Sequence, residues 1–309
     1  MAHLCVGCSL SYVEAIRKDE YGVLQFYVNH GAYNRTRRCG NRKCGNELVV
    51  NEFGDFFFRC GKYYTPKRKK IKCRFTASAK KGTFFENAHL PLTDIFYVVA
   101  SILCLVPPRQ DYLEKNFNIS SKTAVDWYSF CREVFVDHVA NNDVTLGGVG
   151  HIVEIDEAKF GKRKYNRGRL IEGQWVFGGI DHTTHETFLV PVEKRDKETL
   201  LKIIKEKIVP GSTIISDCWR AYDCLEDEGF VHETVNHSKE FVDPRTHAHT
   251  NTIEQTWRSV KDKIPRYGRK KTHFVGYLGE YLFKAKYPNL NERIHHFWVA
   301  AAKLYPPEH

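Results

Sequence analysis

Residues 151–264 carry the pattern that most restricts how this chain can fold. HIVEIDEAKF (151–160), QWVFGGID (174–181) and TFLVPVEK (187–194) read as three strands, the last two joined by HTTHE. DKETLLKIIKEKIV (196–209) then switches to helical spacing, with Leu200, Ile203, Ile204 and Ile208 on one side. TIISD (213–217) is a fourth strand, HETVNH (232–237) a candidate fifth, and NTIEQTWRSVKDKI (251–264) a helix.

Three strands in meander, then helix, strand, strand and helix, is the order of the ribonuclease H-like fold, an α/β class. In that order three carboxylates can converge. Asp156 lies late on the first strand, Asp217 ends the fourth, and Glu254 sits in the first turns of the helix. Ile253, Trp257, Val260 and Ile264 form that helix's apolar stripe, with Glu254, Arg258 and Lys261 on the adjacent polar side. Oxygen-rich clusters of this kind bind hard cations, so Asp156, Asp217 and Glu254 are candidate catalytic ligands for two Mg²⁺ or Mn²⁺ ions. Such a pair activates an attacking water or 3′-hydroxyl and stabilises the leaving oxygen of a phosphodiester.

Several neighbours are candidates for secondary roles. Glu154 shares a strand face with Asp156 and is a candidate helper at the metal, whereas Glu157 points the other way and is a weaker one. His249 and Asn251 precede Glu254, and either contact the scissile phosphate or, for Asn251, cap the helix. Trp219 and Trp257 read as core residues before DNA-stacking ones.

Upstream, the charge distribution adds a second constraint. Between Arg35 and Lys81 stand 15 Lys/Arg and only three acids, Glu47, Glu52 and Asp55, although the whole chain carries +10. KFGKRKYNRGR (159–169) holds six more basic residues and no acid. Such patches suit a polyanion. The candidate DNA contacts are Lys67, Arg68, Lys69, Lys70, Lys122, Lys162, Arg163, Lys164, Arg167, Arg169, His249 and Asn251. The run PKRKK (66–70) reads either as a nuclear-import signal or as a DNA-contacting loop, and can serve as both.

Six of the ten cysteines fall before residue 88. Cys39-x4-Cys44, Cys60 and Cys73 flank ELVVNEFGDFFF (47–58), which reads as two short strands around a turn. Two cysteine pairs separated by a hairpin match a zinc ribbon, in which a Zn²⁺–thiolate site replaces a core too small to hold itself. The Cys60–Cys73 gap is unusually wide, and Cys5-x2-Cys8 is a rival ligand pair or a pair of free thiols. Next, LPLTDIFYVVASILCL (90–105) is an apolar helix closed by Pro107-Pro108. RQDYLEKNF and KTAVDWYSFCREVFVDHV follow, with Ser120 or Ser121 capping the second and Val125, Tyr128, Cys131, Val134 and Phe135 on its apolar side. Their short connection suggests a helix-turn-helix. The resulting division is a ribbon region at 1–88, a helical unit at 89–147, and a catalytic unit at 148–309 with its last helices outside the core.

VEIDEAKFGKRKYNRGR, QWVFGGID, ISDCWRAY and HTNTIEQTWRSVK together resemble the core of Merlin-type cut-and-paste DNA transposases and their bacterial insertion-sequence relatives. The stretch from Cys39 through KCRFTASAKKGTFFENAHLPL to TAVDWYSFCREV resembles the same family's ribbon and helix-turn-helix. The resemblance implies a transposase with an acid triad, carried by Asp156, Asp217 and Glu254. Some bacterial relatives have Asn at the third position, where this chain has Glu. The implied partners are double-stranded DNA, as terminal inverted repeats and target, and a second copy or more of the chain. A domesticated DNA-binding protein and a structure-specific nuclease remain alternatives. The expected setting is nuclear in a eukaryote and nucleoid-associated in the cytoplasm otherwise. No apolar run reaches the ~18 residues of a membrane span, and the N-terminus lacks signal-peptide order. A soluble intracellular protein without a membrane partner is expected.

Overall fold

The computed structural model describes residues 13, 16, 18–50, 56–66, 69–107, 109–161, 173–235, 250–265 and 271–308. Two compact units emerge: Met1–Leu105 with Arg109–Asp137 and Tyr287–His309, and Val106–Pro108 with His138–Lys286. No helix among the described residues is long and apolar enough to cross a membrane.

The first unit opens with helix α1 (Glu20–Asn29), capped by the Asp19 carboxylate accepting from Tyr21 N–H at 3.1 Å. Strands β1 (Thr36–Arg38) and β2 (Glu47–Val49) pair antiparallel, with Cys39 and Cys44 between them. β3 (Phe57–Arg59) pairs with β6 (Thr76–Ser78). Inside that second hairpin, β4 (Tyr63–Tyr64) pairs with β5 (Ile71–Lys72). The expected hairpin within residues 47–58 is therefore not formed as such. Its two strands each take another partner, because each cysteine pair sits within its own hairpin. The wide Cys60–Cys73 gap is the extra β4–β5 ladder.

Helices α2 (Leu92–Cys104), α3 (Gln110–Phe117) and α4 (Ser121–Asn141) follow. Every residue of α2 from Ile95 to Leu103 is buried, so it reads as apolar all round. Asn118 adopts a left-handed conformation (φ +49°) that ends α3. The Ser120 hydroxyl then accepts from Thr123 N–H at 3.1 Å and starts α4. Val125, expected on the apolar side of α4, is exposed; Ala124 and Trp127 take the buried positions beside Tyr128, Cys131, Val134 and Phe135. The helix Leu290–Leu304, expected beside the catalytic core, also belongs to this unit. Its Trp298 ring lies 4.7 Å from Tyr27 and 5.9 Å from Phe85. An aromatic cluster drawn from three distant segments holds it there, and no single segment's pattern reveals such a cluster.

The second unit contains a five-stranded sheet. A short β7 (Leu146–Gly147) precedes β8 (Ile152–Phe160), β9 (Gln174–Asp181) and β10 (Thr187–Val192), the last three forming an antiparallel meander. Helix α5 (Lys197–Lys207) and β11 (Ile208–Val209) lead to β12 (Thr213–Asp217), which joins β8 in parallel, and β13 (Val231–Val235) extends the sheet in parallel to β12. The order is β10-β9-β8-β12-β13. This is the ribonuclease H-like arrangement expected from the sequence, with HETVNH supplying the fifth strand. Helices α6 (Asn251–Lys263) and α7 (Phe274–Lys286) complete the unit. The sheet has a core on each face. Val153, Ile155, Phe177 and Ile214 meet Leu200 and Ile204 of α5, while Ala158, Phe160, Val176 and Ile180 meet Ile253, Trp257 and Val260 of α6.

One close approach decides how α6 seats. Gly178 is the cross-strand partner of Asp156, and a Cβ at Gly178 would come within 2.8 Å of the Trp257 ring and 2.9 Å of Leu189. The glycine leaves the room that the indole fills. Gly178→Ala should accordingly destabilise the second unit by about 1–3 kcal/mol through overpacking, measured by urea unfolding, with Trp257 fluorescence reporting a displaced ring. Wild-type stability in that variant would show that α6 seats without this contact.

Candidate active site

The sequence-predicted acids arrive from three elements. Asp156 lies on β8, on the α6 side of the sheet. In the parallel register Ile215 stands opposite Glu154, which carries Asp217 to the level of Asp156. Glu254 occupies the first turn of α6. All three line one cleft of about 490 Å³, together with Glu157, Lys159, Trp175, Arg195, Arg258 and Lys261.

Burial and like charge set the electrostatics. The Asp156 carboxyl is pushed up to about 6, chiefly by desolvation, with the Asp217 and Glu254 charges adding to the rise. Its Oδ2 accepts the Trp257 indole N–H at 2.9 Å, which pulls the other way. Glu157 is pushed up to about 7, again first by burial, despite a hydrogen bond from the Tyr222 hydroxyl and the Arg195 guanidinium 3.8 Å away. Asp217 accepts from Trp219 N–H at 3.3 Å, and Glu254 faces Arg258 at 3.8 Å. The charges of Asp217 and Glu254 act on Asp156, and those of Asp156 and Asp217 on Glu157, so joint ionisation is disfavoured and a divalent cation among them would offset that penalty. The donor set, all carboxylate oxygen, fits Mg²⁺ or Mn²⁺.

Glu154 has a different task from the one expected of it. Its carboxylate is fully buried and paired with the His182 ring. It also accepts the Ile253 N–H at 2.7 Å, so it satisfies the N-terminus of α6 from the neighbouring strand. Asn251 is not the cap: it is the first helical residue, and Thr250 at the cap position makes no side-chain capping bond. Sequence reading ranked Glu157 low because it alternates to the opposite face, yet the cleft reaches it. It passed over Arg195, Trp175 and Lys159 as site residues altogether. Only spacing relative to Asp156 marks Lys159; for Arg195 and Trp175 no local signal exists. Trp257 is both buried core and partner of Asp156.

The four cysteines also converge. Cys39 Sγ lies 3.6 Å from Cys73 Sγ, Cys44 Sγ lies 3.6 Å from Cys60 Sγ, and all four sulfurs are within 4.8 Å of one another. A tetrahedral site with ~2.3 Å metal–sulfur bonds has sulfurs about 3.8 Å apart. Asn41 donates to Cys73 Sγ at 3.5 Å and Asn46 to Cys60 Sγ at 4.0 Å. Burial pushes the Cys39 thiol up to about 12, while the Phe75 backbone N–H draws Cys73 down to about 7. A cation is what would let all four ionise together.

Of the expected DNA contacts, Lys69, Lys70 and Lys122 are exposed. Lys67, Arg68, Lys162, Arg163, Lys164, Arg167, Arg169 and His249 lie outside the described residues, as do Cys5 and Cys8.

Known proteins sharing these features point one way. Residues 145–286, which contain the whole cleft, match the ISXO2-like transposase domain. The chain is 35% identical over 96 residues to an uncharacterized transposase-like protein of Haemophilus influenzae, a match covering 31% of this chain and 76% of that one. Among solved structures, the magnesium-bound catalytic core of HTLV-2 integrase in its dimeric form aligns with 49% of this chain and 99% of its own, at 16% identity and a TM-score of 0.31. Its trimeric form aligns with 48% and 83%, at 14% identity and a TM-score of 0.26. Those two structural similarities are too distant to bear on the site. The domain match and the Haemophilus relative are not, and the chain belongs to the ISXO2-like family of bacterial insertion-sequence transposases.

Proposed function

We propose that the chain is an active DNA transposase of the Merlin-related kind, which binds terminal inverted repeats, cleaves the element ends and joins the 3′-hydroxyls to target DNA. The observation that carries this reading is the convergence of Asp156, Asp217 and Glu254 on one cleft of a ribonuclease H-like unit. Bound between these carboxylates, two Mg²⁺ or Mn²⁺ ions would supply Lewis-acid activation of the nucleophile and the leaving oxygen. Asp156 and Asp217 hold their carboxylates on adjacent rigid strands, and Glu254 completes the set from α6. Trp257 orients Asp156, and the Glu154–Ile253 contact fixes the helix that presents Glu254. The Cys39, Cys44, Cys60 and Cys73 set suits Zn²⁺ and would order the ribbon. The ribbon and the α3–α4 pair, with Lys69, Lys70 and Lys122, would select the ends. Concerted cleavage of two ends calls for at least two copies of the chain.

Asp156→Asn, Asp217→Asn and Glu254→Gln should each abolish cleavage and strand transfer of end-bearing DNA in Mn²⁺ while leaving end binding within about twofold, because metal ligands on a preformed fold serve chemistry more than packing. Strand transfer at wild-type rate by any one of them removes that residue from the site. Hydrolysis without joining in the wild-type protein would make it a nuclease, and end binding without either would make it a DNA-binding protein.

Trp257→Phe keeps an aromatic ring in the core, though a smaller one, and deletes the N–H that stabilises ionised Asp156. Loss of that bond raises the Asp156 pKa, so the acid limb of the pH–rate profile should move to higher pH. Activity at neutral pH should fall about 10- to 100-fold, the usual cost of losing a metal ligand's hydrogen-bond partner. An unmoved acid limb would mean the contact is packing alone.

Cys60→Ser should release zinc, measured by elemental analysis, and lose end-specific binding, while the second unit keeps its cooperative melting transition. Intact wild-type protein purified without any bound zinc would overturn the ribbon's metal assignment.

A further inference from the structure

Arg195 takes part in none of the steps above, yet its placement is costly to leave unused. It stands in the 193–196 connection between β10 and α5. Its guanidinium carbon lies 4.5 Å from the Trp175 ring centroid and 5.0 Å from that of Trp219. Both indoles pack onto the core beneath. Trp175 comes from β9, and Trp219 follows Asp217 by two residues, so the sandwich is assembled from the strands that frame the acid cleft. The side chain remains 48% exposed and lines that cleft. Its nearest carboxylate, Glu157, is 3.8 Å away, beyond hydrogen-bonding distance, so the ion pair leaves the guanidinium donors available. Lys159 Nζ lies 5.3 Å from the centroid of the same Trp175 ring.

An arginine packed against two aromatic rings gives up part of its rotamer freedom before any ligand arrives, so less is lost on binding. Its parallel N–H groups match two oxygens of a phosphodiester. Such a cation on the wall of a carboxylate cleft meets the one part of a nucleic acid that the carboxylates repel. We propose that Arg195, clamped by Trp175 and Trp219, binds the non-bridging oxygens of a DNA phosphodiester beside the acid trio and so sets the position of the strand in the cleft. This rests on the DNA-processing reading above, and its test is separable from that reading.

The probe is the dinucleotide d(TpT), which has a single phosphodiester, and its uncharged methylphosphonate analogue, added to ¹⁵N-labelled full-length protein in Mg²⁺ buffer. One arginine Nε–H resonance, absent in Arg195→Lys, should shift saturably with d(TpT) and stay in place with the analogue. Arg195→Lys keeps the charge and loses the planar fork. It should cleave DNA about tenfold more slowly, the worth of one charged hydrogen bond, with binding to random duplex changed less than about twofold. No shift with d(TpT), or an equal shift with the neutral analogue, would reduce Arg195 to a structural bridge between two tryptophans. DNA cleavage by the wild-type protein alongside an unmoved resonance would retire this inference alone. A phosphate-dependent shift in a protein that cleaves no DNA would keep the phosphodiester site and retire the transposase reading.

Discussion

The Trp257 indole is the joint on which the second unit turns. It lies across Gly178, packs into the core between β8 and β9, and donates its N–H to Asp156. A glycine opposite Asp156 is what allows an aromatic ring of this size to reach a strand carboxylate. One turn earlier, Glu154 takes the Ile253 N–H. The helix is thus pinned to β8 at two successive turns, once through a buried carboxyl group at its N-terminus and once through an indole. Glu254 lies between those two points, so its position on the helix is set by both contacts.

Pinned geometry comes with electrostatic strain. Asp156 and Glu157 are raised to about 6 and about 7, mainly because the cleft strips them of water. A carboxyl whose native pKa exceeds its unfolded value binds its proton more tightly when folded. Its contribution therefore favours the fold below its unfolded pKa and is lost as pH rises through the native value. In the metal-free protein these two groups accordingly work against the fold at neutral and alkaline pH, and a divalent cation offsets that. Lys159, Arg195, Arg258 and Lys261 line the same cleft. Carboxylates and cations thus share one cleft. Packing elsewhere must carry the cost of such a site, and the two apolar cores on either face of the sheet do so.

How much of this could be read from residues alone depended on the range of the interaction. Strand alternation and the α6 stripe are local, so the order of elements and the apolar face of α6 were legible, and the three acids could be assigned to the elements that line the cleft. Glu154 was legible as sharing a face with Asp156, but a buried carboxylate can serve a metal or a helix terminus, and only the chain returning 99 residues later decides which. Arg195 stands in a solvent-rich stretch of charge, EKRDKE, where nothing local marks it. Its role exists only because two tryptophans arrive from other strands. The partners of the helix Leu290–Leu304 were hidden for the same reason. Its stripe is clear, but the aromatic residues that claim it, Tyr27 and Phe85, lie more than two hundred residues away.

The ribbon shows why a spacing that looks wrong can still bring four sulfurs together. What four ligands require is that their Cα positions converge, and the number of residues between two of them matters only through the entropy of closing the loop. That entropy grows slowly with length. In the Cys60–Cys73 interval the β4–β5 ladder closes part of the loop by itself, with Tyr63 opposite Lys72 and Tyr64 opposite Ile71. Cys73 N–H donates to the Lys62 carbonyl at 2.8 Å, and Cys60 N–H to the Phe75 carbonyl at 2.9 Å. Backbone pairing thus continues on both sides of the cysteines, and the sulfurs meet as they would across a short knuckle. The insertion lengthens the hairpin without disturbing its base. It also carries Lys69 and Lys70, and Lys70 Nζ lies 5.0 Å from the centroid of the Tyr63 ring on the facing strand.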